Sequence, residues 1–569
     1  MIALRTFIRA SIDSRIMKQR INTGGLTFSR MREENVYFVD KSMLIADLLS
    51  MDESGVYLFT RPRRFGKTTN LTMLDAFFNI EFKGNTWFDD LEISNHPEFD
   101  RYRNAFPVIN LDLKETKADT FESYVAGLKD ALKATFDRFL YLMESDLVYD
   151  DEKETIDSVI RKTIPEYYIS DCIPLLCRML ERHHGVKPII LIDEYDHAIS
   201  EAIGNEFQNQ LMNLFGRTMG AALKNNYNLQ MAYATGLTQI AKESVSPDLN
   251  NVWVNNIFST ESDEMFGFTE AEVKRILSDY GHPERFEEAK SWYDGYRFGD
   301  VEVYNPFSIM NYVSEKFEPA SYWVNSGGDW IVRKLLKSID DRNYGNILKL
   351  LAGEALTREL SPTVAYSEIS GAGISLYSLM TMTGYLRAVP IGDGDYNISL
   401  PNREVRNLVT TVMGAVEPVG RSTIDEFNEA VLEKNGKKIE SALGTVLLSG
   451  SYFNLVDENS YVLVVMTLMH AMGRRYDIRT EVEQGNGRIN LIMRPRSAGT
   501  FPMVMEFKKV SFEKELVPAA EAAIKQIHEK KYYLGMEGDV ILMGMSFFGK
   551  IPRVLIEAVR VDHPDCRKA

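Results

Sequence analysis

Residues 55–80 constrain this chain more than any other stretch. GVYLFT (55–60) is a short apolar run, RPRRFGKTTN (61–70) is a basic loop, and LTMLDAFFNI (71–80) carries apolar residues at helical spacing. Strand, tight loop and helix in that order turn backbone N–H groups inward at a helix N-terminus, which makes a nest for an anion. Gly66-Lys67-Thr68 supplies what a triphosphate needs there: a glycine for the turn, a lysine for the β- and γ-phosphates, and a hydroxyl for Mg²⁺. The textual pattern G-x-x-x-x-G-K-[ST] is incomplete, because Arg61 stands at the first glycine position. Its chemical half is intact and sits in the right context. The expected nucleotide contacts are Arg63, Arg64, Phe65, Gly66, Lys67, Thr68 and Thr69. For at least one of the two arginines, a solvated basic loop is the competing role.

A second half of the same site stands in VKPIILIDEYDHAI (186–199). An apolar strand ending in Asp193-Glu194 places one carboxylate for the Mg²⁺ shell and one to orient the attacking water. Alone, an Asp-Glu pair after a strand is an ordinary helix start favoured by the macrodipole. Downstream of Gly66-Lys67-Thr68, it becomes the second of two halves that agree. Asp196 is a weaker candidate, with capping of the next helix as its competing role. Thr235 and Gln239 in ATGLTQIAKES fall at a strand end, where a sensor of the γ-phosphate would sit. Arg217 in NLFGRTMGAALK is a candidate finger for transition-state charge, in cis or from a neighbouring subunit, against the bland reading of an exposed helical arginine.

FPVINLDLK (106–114), the strand of 186–199 and LQMAYATGL (229–237) alternate with helical patterns at 119–143 and 169–185. Strands this apolar, spaced this way, predict an α/β fold with a doubly wound parallel sheet. After 260 the character changes. Residues 370–415 read as helix, hairpin around GDGDYN, helix, a winged-helix-like or small helical module. From 476 strands return (GRINLIM, FPMVMEFKKV, DVILMGMSFFG) around a helix at 515–534, a small α/β domain.

A chain of 569 residues exceeds one hydrophobic core, so two to four domains are expected. The formal charge of −16 argues against a surface that is a nucleic-acid or acidic-membrane platform throughout, and leaves room for a local basic groove. Three cysteines, Cys172, Cys177 and Cys566, match neither a zinc site nor a disulfide framework and fit a reducing cytosol. No run approaches the roughly 18 apolar residues of a spanning helix, so no membrane partner is expected and the localisation reads as cytoplasmic. The basic start, with Leu4, Ile8, Ile12 and Ile16 at helical spacing, has two readings: an extension that docks or frays, which is favoured, and a targeting or membrane-surface helix.

FVDKSMLIADLL (38–49), FTRPRRFGKTTNLTML (59–74), PIILIDEYDHAI (188–199), ATGLTQIAKES (234–244), WYDGYRFG (292–299) and VYNPFSI (303–309) together closely resemble the AAA-ATPase-like family of bacterial proteins, from about residue 22 to 330. The resemblance implies a P-loop ATPase core using ATP and Mg²⁺, with Lys67, Thr68, Asp193 and Glu194 in the binding and hydrolysis roles. It also implies that Arg61 is usual at its position. WYDGYRFG and the YNP of 304–306 mark the family, with a packing turn as their default role.

Such proteins typically end in a PD-(D/E)xK nuclease-like domain, and the tail resembles one. The resemblance puts Glu506-Phe507-Lys508 in the (D/E)-x-K position, followed by Gln526 and Tyr532, with Glu483 upstream. The family's G-R-x-D reads Gly487-Arg488-Ile489-Asn490 here, so an amide stands where a metal-binding carboxylate belongs. Hard cations are held largely by carboxylates, which puts cleavage in doubt. The implied metal set is Glu483, Asn490 and Glu506, with Glu506 and Lys508 catalytic.

The expected layout is an extension (1–21), an AAA-ATPase-like domain (22–260), a helical and winged-helix-like region (261–475) and a restriction-endonuclease-like domain (476–569). The leading expectation is an ATP-dependent switch coupled to a nuclease-like effector on DNA or RNA. The competing one is a nucleotide-gated scaffold with an inactive nuclease-like domain. Oligomerisation is left open.

Overall fold

The computed structural model describes residues 19–51, 55–116, 119–202, 205–224, 226–239, 252–323, 330–337, 339–351, 353–363, 373–416, 421–449, 458–469, 472, 475–485, 487–496 and 500–561. The basic segment 1–18 and Cys566 lie outside them. The chain divides into two compact units, one built from the chain up to Trp330 with Thr357–Val405, the other from Ile331–Leu356 with Arg406 onward.

The first unit contains a five-stranded sheet of β1 (Val56–Thr60), β2 (Val108–Asp112), β3 (Ile189–Asp193), β4 (Met231–Gly236) and β5 (Val252–Asn255). Its order is β2-β3-β4-β1-β5 and every neighbouring pair is parallel. β1, β3 and β4 are buried at every position, as strands covered on both faces must be. The covering helices are α1 (Lys67–Phe78), α2 (Phe121–Asp137), α3 (Cys172–His184) and α4 (Gln208–Leu223). Thr120 and Ser123 form a reciprocal capping box at the start of α2, and Gly185, at φ 73°, ends α3. Leu128, Leu132, Leu176, Leu180 and Phe215 from these helices meet Ile109, Ile190 and Ile192 of the sheet in one continuous core.

The strand order matters for chemistry. β4 lies between the strand that feeds the glycine loop and the strand that ends in Asp193. With Phe59 opposite Thr235 and Ile192 opposite Ala234, the C-terminal ends of β1, β4 and β3 stand side by side on one edge. That edge is where open parallel sheets hold ligands.

Beyond the sheet, the first unit continues through α5 (Glu270–Asp279), the hairpin β6 (Tyr296–Phe298) and β7 (Val301–Val303), and α6 (Pro306–Ser314). β8 (Leu356–Glu359), β9 (Arg387–Gly392) and β10 (Asp395–Ser399) form a three-stranded sheet in the order β8-β10-β9. With α7 (Gly373–Met382) before the β9–β10 hairpin and α8 (Arg403–Val416) after it, the chain shows the helix, hairpin, helix order of a winged-helix-like module. The stretch 261–475 is shared: 261–330 and 357–405 belong to the first unit, and 331–356 and 406–475 to the second.

The second unit holds α9 (Glu458–Met469) and a sheet of β11 (Tyr476–Gln484), β12 (Gly487–Pro495), β13 (Met503–Lys509), β14 (Gly538–Phe548) and β15 (Ile551–Val561), with α10 (Leu516–Lys530) between β13 and β14. The order is sequential, and only β13 and β14 run parallel. Gly544 on β14 has a packing reason: a Cβ there would come within 2.3 Å of the Ala520 carbonyl, so its absence lets α10 lie directly on the sheet. No helix among the described residues is long and apolar enough to cross a membrane.

Candidate functional site

The loop after β1 turns on two left-handed residues, Arg64 (φ 67°) and Gly66 (φ 86°), and delivers the chain into α1. Lys67 is buried. Its ammonium donates back to the loop carbonyls of Arg61 and Pro62 at 3.0 and 3.1 Å, and burial pulls its pKa below the ordinary lysine value. The Thr68 hydroxyl donates to Asp193 Oδ2 at 2.7 Å, across 125 residues of sequence. The other carboxylate oxygen of Asp193 accepts from the Glu194 backbone N–H at 3.0 Å. Burial pushes the Asp193 carboxyl up to about 6, against the Thr68 hydrogen bond, which favours the charged form. Glu194 follows at φ 53°, a left-handed conformation uncommon for a non-glycine residue.

A cavity of about 530 Å³ opens over this loop. Arg63, Arg64, Phe65, Gly66, Lys67, Thr68 and Thr69, all expected contacts, line it together with Glu194. Apolar residues Phe38, Val39, Met265, Phe268, Phe307 and Met310 line it as well. Asp193 touches the lining residue Thr68, and Thr235 sits level with it on the middle strand. The Thr235 hydroxyl is fully buried and has no hydrogen-bond partner among the described residues. Arg217 does not join them: it is exposed on α4 and is not part of the cavity lining.

Asp196 departs from its expected capping role. It stands at the start of the short helix His197–Glu201 but makes no side-chain cap. Its buried carboxylate instead accepts from the Leu237 N–H, and from both the N–H and the hydroxyl of Thr238, at 2.7–3.0 Å. Tyr195 joins it by donating its hydroxyl to the Thr238 carbonyl at 2.7 Å. Both side chains therefore clamp the exit of β4, and Gly236 leaves them room, since a Cβ there would lie 2.4 Å from the Tyr195 ring.

Three further residues escape a reading by motif. Arg61 is fully buried without a carboxylate: it donates to the carbonyls of Thr60 and Asn255 and to Asn255 Oδ1, and lies over the rings of Phe266 and Phe298 at 4.7 and 5.1 Å. Burial lowers its pKa to about 9. The side chain thus points away from the phosphate nest, which explains how an arginine serves where a glycine is usual. WYDGYRFG gains a role from Phe65, whose ring meets Tyr296 and Phe298 edge-on at 4.9 and 5.1 Å, so the β6 turn backs the phosphate loop. Lys41 of FVDKS binds both carboxylate oxygens of Glu272 and the Glu264 carbonyl at 2.7–2.8 Å, fixing the cavity's apolar wall to α5.

In the second unit, Glu506 of β13 is 2% exposed, and burial raises its pKa against the pull of Lys508. One of its oxygens, Oε1, takes the Lys508 ammonium at 3.2 Å and the Gln526 amide from α10. The other is buried and unpartnered among the described residues. Asn490 Oδ1 accepts the Phe507 backbone N–H at 2.9 Å, just past the last β12–β13 ladder pair at Leu491 and Met505. Tyr532 donates to the Arg488 carbonyl at 2.9 Å. Glu483 lies on β11 opposite Arg488, two strands from Glu506. The acid that does approach from elsewhere is Glu458, at the start of α9: it accepts the Lys509 N–H at 3.3 Å and stands 4.0 Å from the Lys508 ammonium. No group of three or more His, Cys, Asp or Glu able to hold a metal occurs among the described residues. This donor set is poor for a divalent cation: it offers one unpartnered oxygen of Glu506 and an uncharged Asn490 amide already bonded to backbone, with the Lys508 ammonium beside them.

A family model described as predicted AAA-ATPase matches residues 23–246, and one described as PD-(D/E)XK nuclease superfamily matches 456–555, which takes in α9 and Glu458. The chain is 24% identical over 568 residues to the "Uncharacterized protein in vnfD 5'region" of Azotobacter chroococcum mcd 1, covering 93% of this chain and 96% of that one. Among solved structures it aligns with a chain in the structure of Drosophila ORC bound to AT-rich DNA and Cdc6, at 9% identity over 67% of this chain and 91% of that one. The TM-score of 0.17 is too low to bear on fold or function. The chain joins an AAA-ATPase-like domain to a domain of the PD-(D/E)XK nuclease superfamily.

Proposed function

We propose that the first unit binds and hydrolyses ATP with Mg²⁺, and that nucleotide state switches a nuclease-like second unit that binds nucleic acid and cleaves it poorly or not at all. The observation that carries the ATP reading is the contact between Thr68 and Asp193, which brings the two expected Mg²⁺ ligands together from distant parts of the chain. The ion supplies charge neutralisation at the phosphates and an ordered water shell. Thr68 and Asp193 would hold it, and Lys67 would exchange loop carbonyls for phosphate oxygens. Glu194, lining the same cavity, would orient the attacking water, and Thr235, whose buried hydroxyl is unpartnered among the described residues, would sense the γ-phosphate. The cavity's apolar lining suits a base, and the loop's backbone and Lys67 suit phosphates. A cytoplasmic setting agrees with the absence of a membrane-crossing helix among the described residues.

For the second unit, the donor set around Glu506 favours recognition over cleavage. Nucleic-acid cleavage of the expected kind needs carboxylates that hold metal, and here Asn490 holds backbone instead. The decisive experiment is ATP turnover by wild type and Lys67→Ala with and without DNA. Equal rates would end the ATPase reading; DNA-stimulated turnover in wild type alone would support the coupling.

A further inference from the structure

The loop that carries the phosphate nest is fastened at each of five consecutive residues. Arg61 is held by Asn255 and two aromatic rings. Pro62 abuts Gly384, where a Cβ would come within 2.9 Å of the proline ring. The Arg63 carbonyl accepts the indole N–H of Trp323 at 3.1 Å. The Arg64 guanidinium lies 4.7 Å over Phe307, and the Phe65 carbonyl accepts the Gly267 N–H at 3.4 Å. These holders come from residues 255–384, all of them beyond the 23–246 stretch matched by the AAA-ATPase-like model.

Trp323 is the one holder that reaches the loop's backbone with a side-chain donor. It is 5% exposed, stacks obliquely on Tyr385 at 5.1 Å, and has its own backbone N–H bound by the buried carboxylate of Glu404, which also takes the Ser308 hydroxyl. The indole is therefore rigidly mounted, so the N–H fixes where the Arg63 carbonyl, and hence the peptide leading into Arg64, can point. The orientation of those peptides decides whether successive N–H groups converge on an anion.

We infer that Trp323 is a positioning residue for ATP: through the Arg63 carbonyl it holds the phosphate loop in its anion-binding form, and the loop's occupancy is felt in return at the indole. The inference rests on the ATP reading above. Reciprocity follows from linkage, since a contact that favours the bound form of the loop must itself be favoured by ATP.

The test uses the full chain. Trp323→Phe keeps an aromatic ring and removes the donor. A neutral hydrogen bond that biases a binding form is worth about a 5-fold change in affinity, so filter retention of labelled ATP with Mg²⁺ should show binding about 5-fold weaker in the variant. The rise in melting temperature on adding ATP should shrink by more than the ATP-free melting temperature does, which a merely structural role would not produce. The chain has five tryptophans, so the ATP-induced fluorescence change is compared between wild type and variant, and the Trp323 part should vanish. Should W323F lack a cooperative melt, benzothienylalanine at 323, which keeps the bicyclic shape without the N–H, carries the same test. ATP binding and fluorescence response equal to wild type overturn the inference while leaving the ATP reading intact. Wild type that retains no ATP overturns both.

Discussion

The two acid-and-lysine sites of this chain are built from the same parts and left in opposite states. In the first unit, the Lys67 ammonium rests on two neutral carbonyls, and Asp193 faces a hydroxyl, which can turn to share a metal. In the second, the Lys508 ammonium and the Gln526 amide sit on one oxygen of Glu506, and Asn490 serves the backbone of Phe507. A site that must accept an ion keeps its own charges apart from one another. A site whose carboxylate already holds its own ammonium has less left to offer a ligand, whatever its motif says.

The largest effect that would break this contrast is at Lys67. Lys67→Ala should lower ATP turnover at least about 100-fold, the order seen when a preorganised group facing developing charge is removed. Phosphate release under saturating ATP measures it. A variant that keeps wild-type turnover would mean the uncommitted ammonium is not there for phosphate.

At Lys508 the comparison predicts damage of another kind. Lys508→Met leaves Glu506 buried beside an amide alone, and should destabilise the second unit by about 2 kcal/mol. Adding Glu506→Gln should recover much of the loss, because the two residues form one network and their effects cannot be additive. Urea unfolding, followed through amide exchange on β13 and β14, reads both. A loss in K508M that E506Q leaves unrelieved would show that the ion pair does not hold this site.

How much of this was legible in the sequence follows from what kind of interaction each feature uses. The phosphate loop, β1, β3 and β4 announce themselves through local patterns: apolar runs, one glycine, and Lys-Thr at fixed spacing. β5 does not, because VWVN is short and only half-buried, and it earns its place by pairing with β1. The pairing of Thr68 with Asp193 could be expected from chemistry, though its route through β4 could not. The contacts of Asp196 are not legible, because an acid before a helix usually caps it, while here tertiary donors at Leu237 and Thr238 compete and win. Arg61, Trp323 and Lys41 each act through a partner 194 to 260 residues away, and no local spacing encodes such contacts. Glu458 is not legible because it lies far from Glu506 in sequence and meets Lys508 and Lys509 only through the fold.

Asn490→Asp sharpens the contrast by trying to undo it. An aspartate can still accept the Phe507 N–H, so the splay between β12 and β13 should survive. A second carboxylate beside Glu506 then gives Mg²⁺ or Mn²⁺ something to compete for. At metal about ten-fold above its dissociation constant, the variant should gain about 1.4 kcal/mol of stability that wild type lacks. The readout is melting temperature with and without metal, alongside plasmid cleavage. Wild type that is itself stabilised by metal would show that the donors around Glu506 are less committed than their contacts indicate.

The smallest expected effect is at Arg217. Its side chain is exposed on α4 and away from the cavity, so within one chain Arg217→Ala should shift stability by less than about 0.5 kcal/mol. ATP affinity should stay at the wild-type value, because the phosphate end of the cavity is lined without it. Turnover separates the two readings of this arginine. If a neighbouring copy supplies it to the transition state, wild-type turnover per chain rises with protein concentration and the variant's does not. If it is a solvated helix residue, both chains give one flat line at every concentration. Flat lines at wild-type rate would place all the chemistry of the first unit between the loop after β1 and the end of β3, within a single chain.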